Sequence, residues 1–255
     1  MNNECYLSEV FSAIQGEGPL IGVRQLFIRF SICDLRCTWC DTPDSLTKNE
    51  SCTIEKESGI REFLEVKNPL SISNLLFYIE PLFKTKHHSI SLTGGEPLIH
   101  HNFLKELLPI LKKDFSIPIY LETGGHRPHE LNNIIESLDY ISMDFKLPSS
   151  ANTGILWDRH REFLEVSKKA KNLKGIWVKI VITKQTLGEE LTKSINLIKS
   201  VFKNHELEVF LQPVTEINNI KPPEELELLN IQKNLLNIYP KIRVVPQTHK
   251  LIGQK

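Results

Sequence analysis

Beyond residue 70 the chain settles into a regular exchange of two hydrophobic periods. Stretches with an amphipathic helical pattern alternate with short apolar runs of strand length. The helical pattern predicts helices over Ser71 to Phe83, Phe103 to Lys112, Asp158 to Asn172, Glu189 to Lys203 and Pro223 to Ile238. Ser71 or Ser73 supplies a cap for the first of these, and Pro223 stands at the start of the last. Strands are predicted at Ser89–Leu92, Pro118–Thr123, Leu138–Phe145, Ile176–Ile182, Glu208–Gln212 and Ile242–Val245. Nearer the N-terminus, Leu26–Phe30 is a further apolar run, and residues 8–24 read as a short strand entering a glycine loop. Strands alternating with helices argue for a mostly parallel α/β sheet with right-handed crossovers. Polar and glycine residues recur just past the strand C-termini, where α/β barrels carry their active sites.

Residues 43–70 break the pattern. They are polar, lack clean periodicity, and carry the loop punctuation Asn49–Thr53 and Lys67–Pro69. A loop of that length is expected to hold some structure or to cover the site. With no repeat, low-complexity tract or linker, the reading is one domain over 1–255 with a variable insertion around 43–70.

The 255 residues can bury a sizeable core. Lys+Arg and Asp+Glu both number 31, which gives no support for a nucleic-acid or anionic-membrane surface. Met1–Cys5 lacks the basic start and apolar core of a secretory leader, and no apolar run is long enough to span a membrane. A cytoplasmic chain is therefore expected, and five cysteines, three of them clustered, fit a reducing compartment. Cys5 and Cys52 lie outside the cluster and read as bystanders.

The chemistry concentrates where the Leu26–Phe30 strand ends. Cys33, Cys37 and Cys40 stand at C-x3-C-x2-C spacing in a tight loop, which brings three thiolates toward one point. A structural zinc site closes its shell with four ligands. His87, His88, His100 or His101 could supply the fourth, but no second ligand pair follows at finger-like spacing. A four-iron cluster takes one cysteine per iron, so three cysteines leave one iron open for chemistry. Just upstream, Gly16 and Gly18 let backbone approach a ligand closely, while Gln15 and Glu17 offer amide and carboxylate groups. Spacing alone reads this loop as a surface turn. Arg29 inside an apolar strand is costly unless paired. Its partner is either a protein acid or a substrate carboxylate taken bidentately. Glu122-Thr123, Asp144-Phe145-Lys146 and Gln212-Pro213 are polar groups at strand ends, each also readable as a structural loop.

The cysteine spacing, with Trp39 before the last cysteine, resembles the signature of radical S-adenosylmethionine (SAM) enzymes. Thr93-Gly94-Gly95-Glu96-Pro97 resembles that superfamily's GGEP segment, which lines the site of SAM's methionine. The resemblance implies a partial, open α/β barrel and a [4Fe-4S] cluster on Cys33, Cys37 and Cys40 whose open iron chelates SAM. It implies further SAM contacts from Trp39 beside the adenine, Gly94, Gly95, Glu96, Glu122, Asp144, Lys146 and Gln212. Ile14-Gln15-Gly16-Glu17-Gly18 resembles the substrate loop of 7-carboxy-7-deazaguanine synthases, and Arg29 matches their substrate arginine. The implied activity is conversion of 6-carboxy-5,6,7,8-tetrahydropterin to 7-carboxy-7-deazaguanine with loss of ammonia, in queuosine and deazapurine biosynthesis. The radical made from SAM takes a hydrogen from C6 of the pterin, and the ring then contracts. Ile14, Gln15, Gly16, Glu17, Arg29 and Thr93 would hold that substrate, with Mg2+ on Thr42 setting its carboxylate. Gln247-Thr248-His249-Lys250 resembles the synthases' ending, although their chains often close on proline and this one on Lys255, whose carboxylate is the implied substrate contact. Family members are commonly homodimers served by flavodoxin-like electron donors. The alternatives are a glycyl-radical enzyme activase, which shares the cysteine motif, and a non-catalytic metal-binding module.

Overall fold

A computed structural model describes residues 3–203 and 206–254. In chain order the strands and helices begin with β1 (Glu4–Cys5), β2 (Leu7–Ile14), β3 (Arg24–Phe30), β4 (Ser51–Glu55), β5 (Phe63–Lys67), β6 (Leu70–Ser71) and α1 (Ile72–Ile79). Next come β7 (Ser89–Gly94), α2 (His101–Phe115), β8 (Ile119–Thr123), α3 (Pro128–Asn132), β9 (Tyr140–Asp144), α4 (Pro148–Ala151) and α5 (Trp157–Lys169). The chain finishes with β10 (Gly175–Ile182), α6 (Gly188–Val201), β11 (Glu208–Pro213), α7 (Glu225–Leu236), β12 (Ile242–Val244) and α8 (Thr248–Leu251).

One sheet has the order β12-β11-β10-β9-β8-β7-β3-β2-β4-β5. From β3 through β7 to β12 every neighbouring pair is parallel. β2 turns back antiparallel on β3, β4 runs parallel to β2, and β5 closes an antiparallel hairpin with β4. β12 and β5 are the two edges and do not pair with each other, so the barrel is open as expected. β1 and β6 form a separate antiparallel pair.

The strands alternate side chains between two faces. One face carries Ile28, Ile90, Leu92, Leu121, Ile141, Val178, Ile180 and Leu211, all fully buried with Leu104, Leu107 and Leu111 of α2 and Phe163 and Leu164 of α5. Each such aliphatic burial stabilises the fold by roughly 1.5–3 kcal/mol. The other face of the same strands carries Arg29, Ser91, Thr93, Glu122, Ser142, Asp144, Lys179 and Gln212, with Tyr120, Trp177 and Phe210 packed together lower down. A parallel sheet covered on both sides would read as near-continuous apolar runs. Here the second face is polar because it lines a cavity.

Several expected boundaries shift. The helix foreseen from Ser71 stops at Ile79 and continues as a 3-10 turn over Glu80–Lys84, because Pro81 has no N–H to give the α ladder. Ser71 does cap α1, its hydroxyl accepting from the Asn74 amide at 3.2 Å. α2 runs on to Phe115. The last long helix starts at Glu225, not at Pro223, since Glu224 and Glu227 form a reciprocal capping box. The Leu138–Phe145 strand shortens to Tyr140–Asp144, with Asp139 turned to accept the Ile119 amide at 3.0 Å. The insertion is a β4–β5 hairpin that widens the sheet, fixed by buried Glu55 accepting from Ser12, Gly59 and Arg61 amides.

Candidate active site

The cysteine loop leaves β3 through Ile32, whose φ of +77° is unusual for a β-branched residue. Two hydrogen bonds fix this exit against the Thr93–Pro97 segment: Gly95 N donates to Phe30 O and Glu96 N to Ile32 O, both at 2.9 Å. Gly94 sits at φ +113°, and a Cβ there would meet the Phe30 backbone. Past this junction Cys33, Cys37 and Cys40 are half-buried free thiols facing one cavity. The Leu35 amide donates to Cys33 Sγ at 3.4 Å. Burial pushes the Cys33 thiol up to about 11 and raises Cys37 as well. Loading iron would reverse this, since metal binding displaces the thiol proton.

Among the described residues no group of three His, Cys, Asp or Glu converges on a single metal ion. All three thiols line the same cavity. A polynuclear cluster takes one thiolate per iron, which three thiols around one cavity can supply. Tetrahedral zinc would need a fourth ligand. The four histidines considered as a fourth ligand face elsewhere. His100 bonds Ser31 O, His101 Leu98 O, His87 the Ser12 hydroxyl and His88 the Ser89 hydroxyl.

The cavity measures about 420 Å³ and opens beneath the cysteine loop. Its far wall is an ionic network. Lys179 on β10 lies 2.5 Å from Glu17 and 3.5 Å from Asp144, and Lys146 lies 2.7 Å from Asp144. Glu17 also accepts from Gln212 at 3.1 Å and Gln247 at 2.8 Å. Glu122 accepts from Gln15 at 2.8 Å and Thr93 at 3.1 Å. Burial pushes Glu17 up, but the Lys179 charge and hydrogen bond more than offset it, and the carboxyl sits low. Glu122 is raised by burial and by the nearby Glu17 charge.

Nearest the cysteines, the Lys146 ammonium lies 4.2 Å from the Trp39 ring centroid, a cation–π contact. Trp39 Nε1 and Asp144 Oδ1 are buried and without a hydrogen-bond partner in the protein. An unpaired buried donor and acceptor are costly unless a ligand completes them. Glu96 is 1% exposed. Its oxygens take the Leu98 amide at 3.1 Å, the Thr123 hydroxyl at 2.8 Å and the Gly124 amide at 2.9 Å. It therefore clamps the glycine segment to the end of β8 while one edge meets the cavity.

Arg29 has a protein partner: its Nε donates to Glu9 at 2.8 Å, and the guanidinium lies over Phe11. Both Arg29 and Glu9 line the cavity, so the pair orients the arginine inside it. Thr42 lines it too, its hydroxyl 3.8 Å from Cys40 Sγ. Gly16, Gln15, Glu17 and Thr93 join the same wall. Ile14 does not line this cavity. It faces a separate depression shared with Ser12, Arg24 and Arg61. Lys255 lies outside the described residues. The segment before it lines the cavity through Gln247, His249 and Lys250, and Thr248 donates to Gly16 O through its amide at 3.0 Å and its hydroxyl at 3.1 Å.

A Cβ on Gly16 would collide with the His249 backbone and ring. Gly16→Ala is accordingly expected to unseat this segment, lowering unfolding free energy by about 1–3 kcal/mol. Protease cleavage within residues 247–254 should accelerate, and an unchanged digestion pattern would contradict the contact.

Sequence reasoning missed Lys179, Glu9, Asp41 and the Asp34–His126–Arg127 contact. Lys179 carried the same signal as Arg29, a lone cation in the apolar run Ile176–Ile182.

An open, mostly parallel barrel with three cysteines and a glycine segment at its strand ends is the architecture of radical SAM proteins. The model of the Radical SAM superfamily matches residues 27–198, and the chain is a member of that superfamily. The 7-carboxy-7-deazaguanine synthase of Geobacter sulfurreducens is 41% identical over 254 residues, covering 97% of both chains. That of Methanopyrus kandleri is 34% identical over 96% of this chain and 92% of its own. The chain belongs to the 7-carboxy-7-deazaguanine synthase family of radical SAM enzymes. The crystal structure of QueE from Escherichia coli superposes with a TM-score of 0.62 at 20% identity, covering 96% of this chain and 94% of that one, and shares the fold.

Proposed function

We propose that this chain converts 6-carboxy-5,6,7,8-tetrahydropterin to 7-carboxy-7-deazaguanine with loss of ammonia, supplying queuosine and deazapurine biosynthesis. The observation that carries the reading is one cavity with the three cysteines on one wall and Arg29, Lys179, Glu17 and Glu122 on the other. A small anionic heterocycle with a polar edge matches those groups. A protein loop, the substrate of a glycyl-radical activase, would have to share the cavity with the C-terminal segment that lines it.

When bound, a [4Fe-4S] cluster and SAM supply one-electron chemistry that takes a hydrogen from carbon and returns it. Cys33, Cys37 and Cys40 would each hold one iron. Gly94 and Gly95 line the cavity where the methionine end of SAM would lie, and Glu96 holds their loop. Trp39, Lys146 and Asp144, with the orphaned Nε1 and Oδ1, are placed to receive the adenosine end. Glu122 and Gln212, matched to SAM by resemblance, bond Gln15 and Glu17 and so side with the pterin. Carboxylates there suit the N–H edge of the pterin ring. Arg29 is oriented by Glu9 to take the substrate carboxylate, with magnesium at Thr42 as its companion. A cytoplasmic setting, a flavodoxin-like donor and a homodimer complete the reading. All five cysteines are free, and no described helix is long and apolar enough to cross a membrane.

Arg29→Ala is expected to lower kcat/KM for the pterin roughly a hundredfold, about 3 kcal/mol of transition-state stabilisation. Arg29→Lys should recover little, because a lysine cannot reproduce the planar fork. SAM cleavage without pterin should persist in both. The experiment is SAM cleavage by the reconstituted enzyme with and without the pterin. Stimulation by the pterin supports the reading, and stimulation only by a glycyl-radical partner protein would replace it.

A further inference from the structure

The cysteine loop is held from outside at three points, and each is the residue that follows a cysteine. Asp34, after Cys33, has Oδ1 2.9 Å from His126 Nε2 and Oδ2 2.9 Å from Arg127 Nη2. Arg127 is itself braced by Glu130 at 2.8 Å. Thr38, after Cys37, donates its hydroxyl to Ser150 O at 3.0 Å and its amide to Ala151 O at 3.2 Å. Asp41, after Cys40, accepts from Lys250 at 2.8 Å and from Gln247 at 3.1 Å. The three anchors belong to the turn before α3, to α4 and to the C-terminal segment, so separate parts of the fold fix the loop. None of the anchoring side chains is a thiol.

We propose that these tethers hold the loop in its cluster-binding shape, and that the Asp41 tether makes cluster retention depend on the C-terminal segment. The inference rests on the reading that the three cysteines carry a cluster. Gln247 gives the last tether a further consequence. Its Nε2 serves both Asp41 and Glu17, so the loop beside Cys40 and the proposed pterin wall share one donor. Lys250 and Gln247 are positioning residues: they would act on the cluster through Asp41.

The test uses the full chain, reconstituted anaerobically with iron and sulfide, and follows iron release to a ferrous chelator by absorbance. Outer contacts of metal ligands typically change affinity about tenfold or more when removed. Lys250→Gln and Asp41→Asn should each release iron several-fold faster than wild type, and Lys250→Arg should restore the wild-type rate. The Asp41→Asn/Lys250→Gln double variant should be no faster than Asp41→Asn alone, because the Lys250 contact is already lost with the carboxylate. Thermal unfolding of the iron-free chains should change little, which separates positioning of the cluster from general destabilisation. Wild-type release rates in both single variants would overturn the tether, as would effects of the two substitutions that simply add. A wild-type chain that takes up no iron would instead overturn the cluster reading beneath it.

Discussion

Cys37→Ala is expected to give a folded chain that holds no intact [4Fe-4S] cluster and cleaves no SAM. The fold should survive because Cys37 is half-buried and lies outside the hydrophobic core, while the loop backbone stays pinned through Thr38 to α4. No disulfide is lost, since the cysteine is free. The chemistry should not survive, because three thiolates already leave one iron open and a second iron cannot lose its anchor as well. Cys5→Ala provides the contrast. Cys5 is fully buried in the core, so that change should cost about 1–3 kcal/mol of stability and leave the cluster in place. Iron and sulfide content, visible absorbance and circular dichroism measured on both variants distinguish the cases. A Cys37→Ala chain with full iron content and normal SAM cleavage would refute the assignment.

Lys179→Met should be the most damaging substitution on the opposite wall. The ammonium stands among Glu17, Asp144 and Glu122, and all three raise its pKa against the lowering effect of burial. Removing one member of a buried ion network leaves uncompensated charge, at a cost of roughly 3–5 kcal/mol. The loss should depend on pH in a definite direction. In the wild type the Glu17 carboxyl sits below its ordinary value, so its contribution is present above the unfolded value and fades as pH falls through the folded one. Without Lys179 the burial effect prevails and Glu17 rises above its ordinary value. The variant should therefore gain stability on going from about pH 7 to about pH 5, where protonation relieves the buried carboxylate. Urea unfolding at both values checks this. A variant within about 1 kcal/mol of wild type near neutrality would show that the network contributes little.

What could be read in the sequence was local. The cysteine spacing, the Thr93–Pro97 segment and the strand ending at Phe30 lie within short stretches, and their geometry follows from chain connectivity. Arg29 was legible because a buried cation must be paired, although its partner Glu9 was not, since sequence gives no register between β2 and β3. Contacts across the cavity were hidden for the same reason. Lys179 and Glu17 are 162 residues apart, and His126 and Asp34 are 92 apart, joined only once the sheet curves. The β4–β5 hairpin escaped notice because it sits at the sheet edge, where Leu64, Glu65 and Lys67 are all exposed and no clean alternation survives. Ile14 was drawn into the substrate set by its neighbours in a motif. The two-residue period of β2 instead turns it toward Arg24 and Arg61.

The most direct test of the account is turnover by the anaerobically reconstituted chain with SAM, dithionite, magnesium and 6-carboxy-5,6,7,8-tetrahydropterin, read by mass spectrometry. The account predicts a product whose mass is that of the pterin less ammonia. SAM cleavage with the pterin returned unchanged would contradict it.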